Sequence, residues 1–147
     1  MIILLDSGVL GALSNPNESE INARLEQWLF NKIKWGSLIT SQVCKYEVKR
    51  SLLKIQSKGI NKLADLEELI DFIPIVDRDI EIACELWVKS ITEGIQVAPE
   101  RDINFDIILC AQWQRLQEEN PGRKVIIATT NLRHLRRFAE AELWENL

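Results

Sequence analysis

Ile2-Ile3-Leu4-Leu5-Asp6-Ser7-Gly8-Val9-Leu10, directly after Met1, decides how the rest of the chain is read. An unbroken apolar run, Ile2 to Leu5, leads straight into an acid. The run is too short for a helix and too continuously apolar for a sheet with one wet face. It predicts a central strand of a parallel sheet, covered on both sides. Asp6 then stands at the carboxyl end of that strand, where open α/β sheets hold their ligands. Ser7-Gly8 turns the chain into a helix starting near Val9. Two roles are open to Asp6: cap of that helix, or ligand-bearing acid at the sheet edge.

A second stretch of the same kind, Val125-Ile126-Ile127-Ala128, runs into Thr129-Thr130-Asn131. The residues between the two runs alternate helix and strand. Ile21, Leu25, Trp28, Leu29 and Ile33 form a helical stripe from Glu20 to Trp35, and Gly36 ends it. Ser37 to Thr40 is a short strand, and Ser41 caps a helix reaching about Ser57. Gly59 breaks the chain before a helix from Ile60 to Ile70. Phe72 to Val76 is strand-like, and Pro74 assigns it to a sheet edge. Asp77 or Asp79 opens a helix ending near Gly94, residues 95–103 form a loop, and a strongly apolar helix runs from Asn104 or Phe105 to about Glu119. The tail to Leu147 is mixed helix and loop. The pattern predicts a single domain over residues 1–147: a three-layer α/β/α sandwich with a mainly parallel central sheet.

Composition narrows the function classes. The 147 residues are 46% apolar and 27% charged, with a net charge of −4. That balance describes an ordinary globular domain and argues against nucleic-acid binding by bulk charge. It leaves room for an acidic centre that holds a metal inside a locally basic rim. No stretch has the length of a membrane span, and the apolar start lacks a basic leader region. Neither membrane insertion nor secretion is expected, so the expected compartment is cytoplasmic. Cys44, Cys84 and Cys110 are odd in number and far apart, which suits buried small apolar residues of a reducing cytosol better than a disulfide or zinc framework.

Both apolar strands end in polar residues, and in a parallel sheet those ends share one edge. Two helices can bring acids to it. Glu47 falls in the second turn of the helix after Ser41, beside Val43, Cys44 and Val48. Asp106 opens the most apolar helix, and Asp102 lies four residues before it. If that segment is already helical the two acids share a face; otherwise Asp102 belongs to the loop. Each has a structural alternative: helix capping or a dipole contact for Asp106, pairing with Arg50 or Lys54 for Glu47, a loop acid for Asp102. Clustered carboxylates repel one another, and Mg²⁺ or Mn²⁺ suits such oxygen donors. Arg133, Arg136 and Arg137 form either a solvated face or a phosphate-contacting patch. Among Lys45, Lys49, Arg50, Lys54 and Lys58, a mostly solvated helix face, Arg50 and Lys54 are the nearest to the prospective site. His134 is expected to be a surface or helix residue, and the five tryptophans core or interface anchors.

The order of the whole set resembles the PIN-domain ribonucleases, and particularly the VapC-like toxins of bacterial toxin–antitoxin pairs. Ile2 to Leu10 resembles the family's opening acid motif, with Ser7-Gly8 in place of the more usual Thr-Asn. Ile39-Thr40-Ser41-Gln42-Val43-Cys44-Lys45-Tyr46-Glu47-Val48 resembles its strand, turn and Glu-bearing helix. Asp106-Ile107-Ile108-Leu109-Cys110-Ala111 resembles its third acid on an apolar helix, and Val125 to Leu135 its last strand and polar loop. The resemblance covers nearly the full length. It implies an endoribonuclease in which Asp6, Glu47 and Asp106 hold Mg²⁺ or Mn²⁺ and activate a water against an RNA phosphodiester. It also implies a cognate antitoxin that blocks the acidic groove, and commonly a homodimer. Asn131 stands where many members carry a fourth acid, and His134 where an Asp commonly follows. Asn131 and Thr130 are then expected to orient a water or phosphate, with Asp102 as a substitute ligand and Arg50, Arg133 and Arg136 on the RNA. The competing reading is a catalytically weak or inactive PIN domain that binds RNA or protein, and Asn131 is the feature in its favour.

Overall fold

The computed structural model describes residues 1–35, 37–94 and 100–147, leaving aside the side chains of residues 35, 37 and 100–103. Its order is β1 (Ile2–Leu5), α1 (Ser7–Leu13), α2 (Glu20–Trp35), β2 (Ser37–Ser41), α3 (Gln42–Lys54), α4 (Gly59–Leu69), β3 (Asp71–Ile73), α5 (Asp77–Thr92), α6 (Glu100–Glu119), β4 (Val125–Thr129), α7 (Leu132–Leu135) and β5 (Ala141–Leu143), then a 3₁₀ turn at Trp144–Asn146.

The strands form one sheet in the order β3-β2-β1-β4-β5, and every neighbouring pair is parallel. β1 is central, as its continuous apolar run requires: Leu4 pairs with Ile39 on one side and Ile127 on the other. Leu4, Leu5, Ile127 and Ala128 are wholly buried. Burying each large side chain contributes roughly 1.5–3 kcal/mol before chain entropy is counted. From β1 the chain builds outward through β2 to β3, then returns to the opposite side of β1 to lay down β4. The strand order therefore reverses between β1 and β4, and such a reversal opens a crevice at the carboxyl ends of the two strands. Asp6 and Thr129 stand at that point.

α6 packs against β4 and carries α5, whose Ile82 and Ala83 close a small second core with Ile107 and Ala111. No described helix is long and apolar enough to cross a membrane.

Four sequence expectations change. α6 begins at Glu100 instead of Asn104, so Asp102 belongs to a helix and not to a loop. Residues 95–99 of the expected loop lie outside the described residues. The tail contributes a fifth strand, β5, which pairs Ala141 with Ile127. At three residues it is too short to show a period, and pairing with β4 decides it. The third strand ends at Ile73, with Pro74 just beyond it, on the edge that the proline signalled. Cys44 and Cys110 are buried, whereas Cys84 is exposed on α5.

Candidate active site

Asp6 is fixed by the main chain on both sides of it. Its amide donates to Ala128 O at 3.1 Å, which continues the β1–β4 register by one residue. Its side chain is the N-cap of α1, with Oδ1 accepting from Val9 N at 2.7 Å. Oδ2 accepts from the Thr129 hydroxyl. Thr129 Oγ1 in turn accepts from Asn131 N at 2.9 Å, so the loop after β4 is tied to the same carboxylate. Of the two roles left open for Asp6, the helix cap is the one observed, and the capping residue stands at the strand-order reversal.

The carboxylate is held against its preferred charge state. Burial raises its pKa from an ordinary 3.8 to about 6. Hydrogen bonds from Thr129 and from the amides of Val9 and Gly8 pull it down, and the neighbouring Glu47 pushes it up. Among the described residues, the charged side chain acting on Asp6 is another acid.

Glu47 reaches this place because β2 stops at Ser41. Thr40 Oγ1 donates to Leu5 O at 2.9 Å, locking the ends of β1 and β2 together. Ser41 Oγ then accepts from Val43 N at 3.0 Å and caps α3, leaving Glu47 half-buried in the second turn. The buried thiol of Cys44 registers both acids: its pKa is pushed up first by burial, then by Asp6 and by Glu47. Asp106 is half-buried on α6 and raises the buried Cys110 thiol in the same way, after burial itself. Among the described residues, however, no three His, Cys, Asp or Glu side chains stand close enough together to hold a metal ion. Asp6 and Glu47 are close enough for each charge to act on the other. Asp102 lies one turn before Asp106 on the same helix, and its side chain is outside the described residues.

Asn131 is the N-cap of α7, with Oδ1 accepting from Arg133 N at 3.1 Å. Its carbonyl oxygen is thus engaged, and its amide group is the part free of that bond. Thr130 is exposed next to Gly8, where a Cβ would collide with the Thr130 hydroxyl and crowd Asp6. Arg133, Arg136 and Arg137 are exposed, and Arg136 lies 3.5 Å from Glu142, a surface pair that contributes little. His134 is half-buried in α7. Arg50 is turned to two aromatic rings, Tyr46 and Phe105.

Sequence reasoning passed over Thr129 in favour of Thr130. The signal lay in the register: with Leu5 opposite Ala128, the residue beside Asp6 is Thr129. The buried ion pair of Asp79 with Arg115, at 2.6 Å, was also missed, since the partners are far apart in sequence and meet only once α5 packs on α6.

No family model and no curated relative matches the chain. Solved structures do. A chain of the VapBC2 complex of Rickettsia felis, bound to a DNA fragment from its promoter, is 17% identical with a TM-score of 0.70 and covers 98% of this chain and 99% of its own. A chain of VapBC-1 from nontypeable Haemophilus influenzae is 13% identical with a TM-score of 0.70, covering 99% of both. A chain of DNA-bound VapBC from Salmonella typhimurium is 15% identical with a TM-score of 0.67 and covers 98% of both. At such identities the likeness is one of fold, and it extends over the whole domain: the chain has the PIN-like α/β/α architecture of VapC-type proteins.

Proposed function

We propose that the protein is a metal-dependent endoribonuclease acting as the toxin of a toxin–antitoxin pair. One observation carries the reading: Asp6, at the reversal of strand order, is buried beside a second acid and has its pKa raised to about 6. A folded domain gains nothing in stability from such a pair, and a hard cation resolves it. The PIN-like fold supports the same reading.

A bound Mg²⁺ or Mn²⁺ supplies a water of lowered pKa and offsets charge on the scissile phosphate. The protein's part is to present oxygen donors that do not move. Val9 N and Thr129 Oγ1 hold the Asp6 carboxylate in one orientation while leaving lone pairs on both oxygens. Glu47 adds the second carboxylate, and Asp106 the third from α6. Asp102 is the candidate fourth. The Thr130 hydroxyl and the Asn131 amide are suited to donate to a phosphate or a water, and Arg133 and Arg136 to attract the RNA backbone. Partners in this reading are an RNA substrate, a cognate antitoxin over the acidic groove and a second copy in a homodimer, all in the cytoplasm. The neighbouring VapBC structures favour the antitoxin.

One observation favours a second reading, an inactive RNA- or protein-binding PIN domain: no described trio of acids is gathered closely enough for a metal. Cleavage separates the two. Wild type should cut single-stranded RNA with Mn²⁺ or Mg²⁺, stop in EDTA, and lose activity in Asp6→Asn and Glu47→Gln while both variants remain folded. Undiminished cutting by Asp6→Asn, or none by wild type with either metal, removes the enzyme.

A further inference from the structure

Two of the candidate acids are each preceded by an aromatic residue: Tyr46 before Glu47 on α3, and Phe105 before Asp106 on α6. The two rings meet across the α3–α6 contact, with centroids 5.9 Å apart and planes inclined at 50°. Arg50, one turn beyond Tyr46, places its guanidinium over both, 5.4 Å from the Tyr46 centroid and 5.0 Å from that of Phe105. Phe105 is half-buried, Arg50 is exposed and Tyr46 is 57% exposed.

A lone aromatic ring at a surface is ordinary. This one belongs to a group. Two rings and a planar cation are collected where α3 meets α6, the helices that carry Glu47 and Asp106, and the Tyr46 ring is left largely in water. Such a surface offers flat π faces for a base and a positive charge for the adjoining phosphate, the two features by which unpaired nucleotides are held. The cation matters here because the acids of the site repel a phosphodiester, and Arg50 supplies a local countercharge that the net charge of −4 does not. A duplex keeps its bases stacked on one another and cannot use the surface.

We propose that Tyr46, Phe105 and Arg50 form a nucleobase-stacking subsite that takes an unpaired base of a single-stranded RNA. The inference rests on the ribonuclease reading and adds to it the side on which the strand is gripped.

The test measures binding without cleavage. A short single-stranded oligoribonucleotide carrying one 2-aminopurine is titrated with protein in EDTA, and a duplex of the same length is titrated in parallel. Wild type should quench the 2-aminopurine on binding. Tyr46→Ala should weaken single-strand binding by about tenfold or more and remove the quench, as expected for losing one base–aromatic stack. Tyr46→Phe should keep both, and duplex binding should be the same in all three proteins. Folding is not at issue, because the Tyr46 side chain is largely exposed. Equal losses on single strand and duplex, unchanged single-strand binding in Tyr46→Ala, or a wild type that fails to bind the single strand would each overturn the subsite. Wild type that stacks the base yet never cuts RNA with Mn²⁺ or Mg²⁺ would leave the subsite standing and remove the nuclease.

Discussion

Asp6 and Asp79 each bond a backbone amide at the start of a helix: Asp6 Oδ1 accepts from Val9 N at 2.7 Å, and Asp79 Oδ2 from Val76 N at 3.0 Å. Beyond that bond they differ. Asp79 is wholly buried and meets Arg115, whose Nε donates to Oδ1 at 2.6 Å and whose Nη2 donates to Oδ2 at 3.4 Å. That pair ties α5 to α6, and Arg115 also reaches Glu119, one turn further along α6, at 2.9 Å. Asp6 meets a hydroxyl, amides and another acid. The fold evidently can deliver a guanidinium to a buried carboxylate, and it does so where the carboxylate is structural. Burial alone does not set Asp6 apart from Asp79; burial beside like charge, at the sheet's point of reversal, does.

The comparison is broken most severely by removing the cation. Arg115→Met leaves Asp79 buried with an uncompensated charge and should cost about 3–5 kcal/mol of stability in denaturant melts. Adding Asp79→Asn to that variant should recover part of the loss. A cost below about 1 kcal/mol would mean that solvent reaches Asp79 on truncation, and the contrast between the acids would shrink.

The opposite sign is expected at Asp6. Its folded pKa of about 6 lies above the ordinary 3.8, so the folded state binds more protons than the unfolded between those values. Stability from this group is greatest below about pH 4, falls as pH rises towards 6, and is flat above. Asp6→Asn keeps an amide oxygen for the Val9 cap and removes the charge. In EDTA at pH 7 it should be more stable than wild type, by up to about 3 kcal/mol. Melting temperatures of both proteins from pH 4 to 8 measure this, and the gap should close towards pH 4. A variant less stable than wild type at pH 7 would show that the Thr129 and Val9 bonds outweigh burial.

A smaller effect sharpens the comparison at the remaining corner of the site. Asn131→Asp adds a carboxylate at the cap of α7 and should strengthen Mn²⁺ binding by about 1 kcal/mol if its oxygen reaches the ion. If Asp102 already fills that role, Asp102→Asn weakens binding and Asn131→Asp does not strengthen it. Calorimetric titration distinguishes the two, and no change in either variant would exclude both positions from the site.

Much of this was legible in the sequence for a physical reason. Ile2 to Leu5 and Val125 to Ala128 are apolar on both faces, and only the middle of a covered parallel sheet accommodates that. Ser41 signals its own helix start, and with it the position of Glu47. What escaped depends on contacts between distant segments. β5 exists because β4 offers it an edge, and Arg115 finds Asp79 only across two packed helices. The hydroxyl that faces Asp6 follows from strand register, which periodicity within one strand cannot supply.

Because the Asp6 carboxylate closes the first turn of α1 through the Val9 amide, the backbone itself carries a gauge of the site's charge. The Val9 N–H points at the oxygen whose charge changes near pH 6. Proton uptake there, or a cation arriving on the far lone pairs, alters the polarisation of that one amide before any larger rearrangement. A single peptide group in the interior thus serves as a resident indicator dye, legible as an amide resonance, with no label introduced.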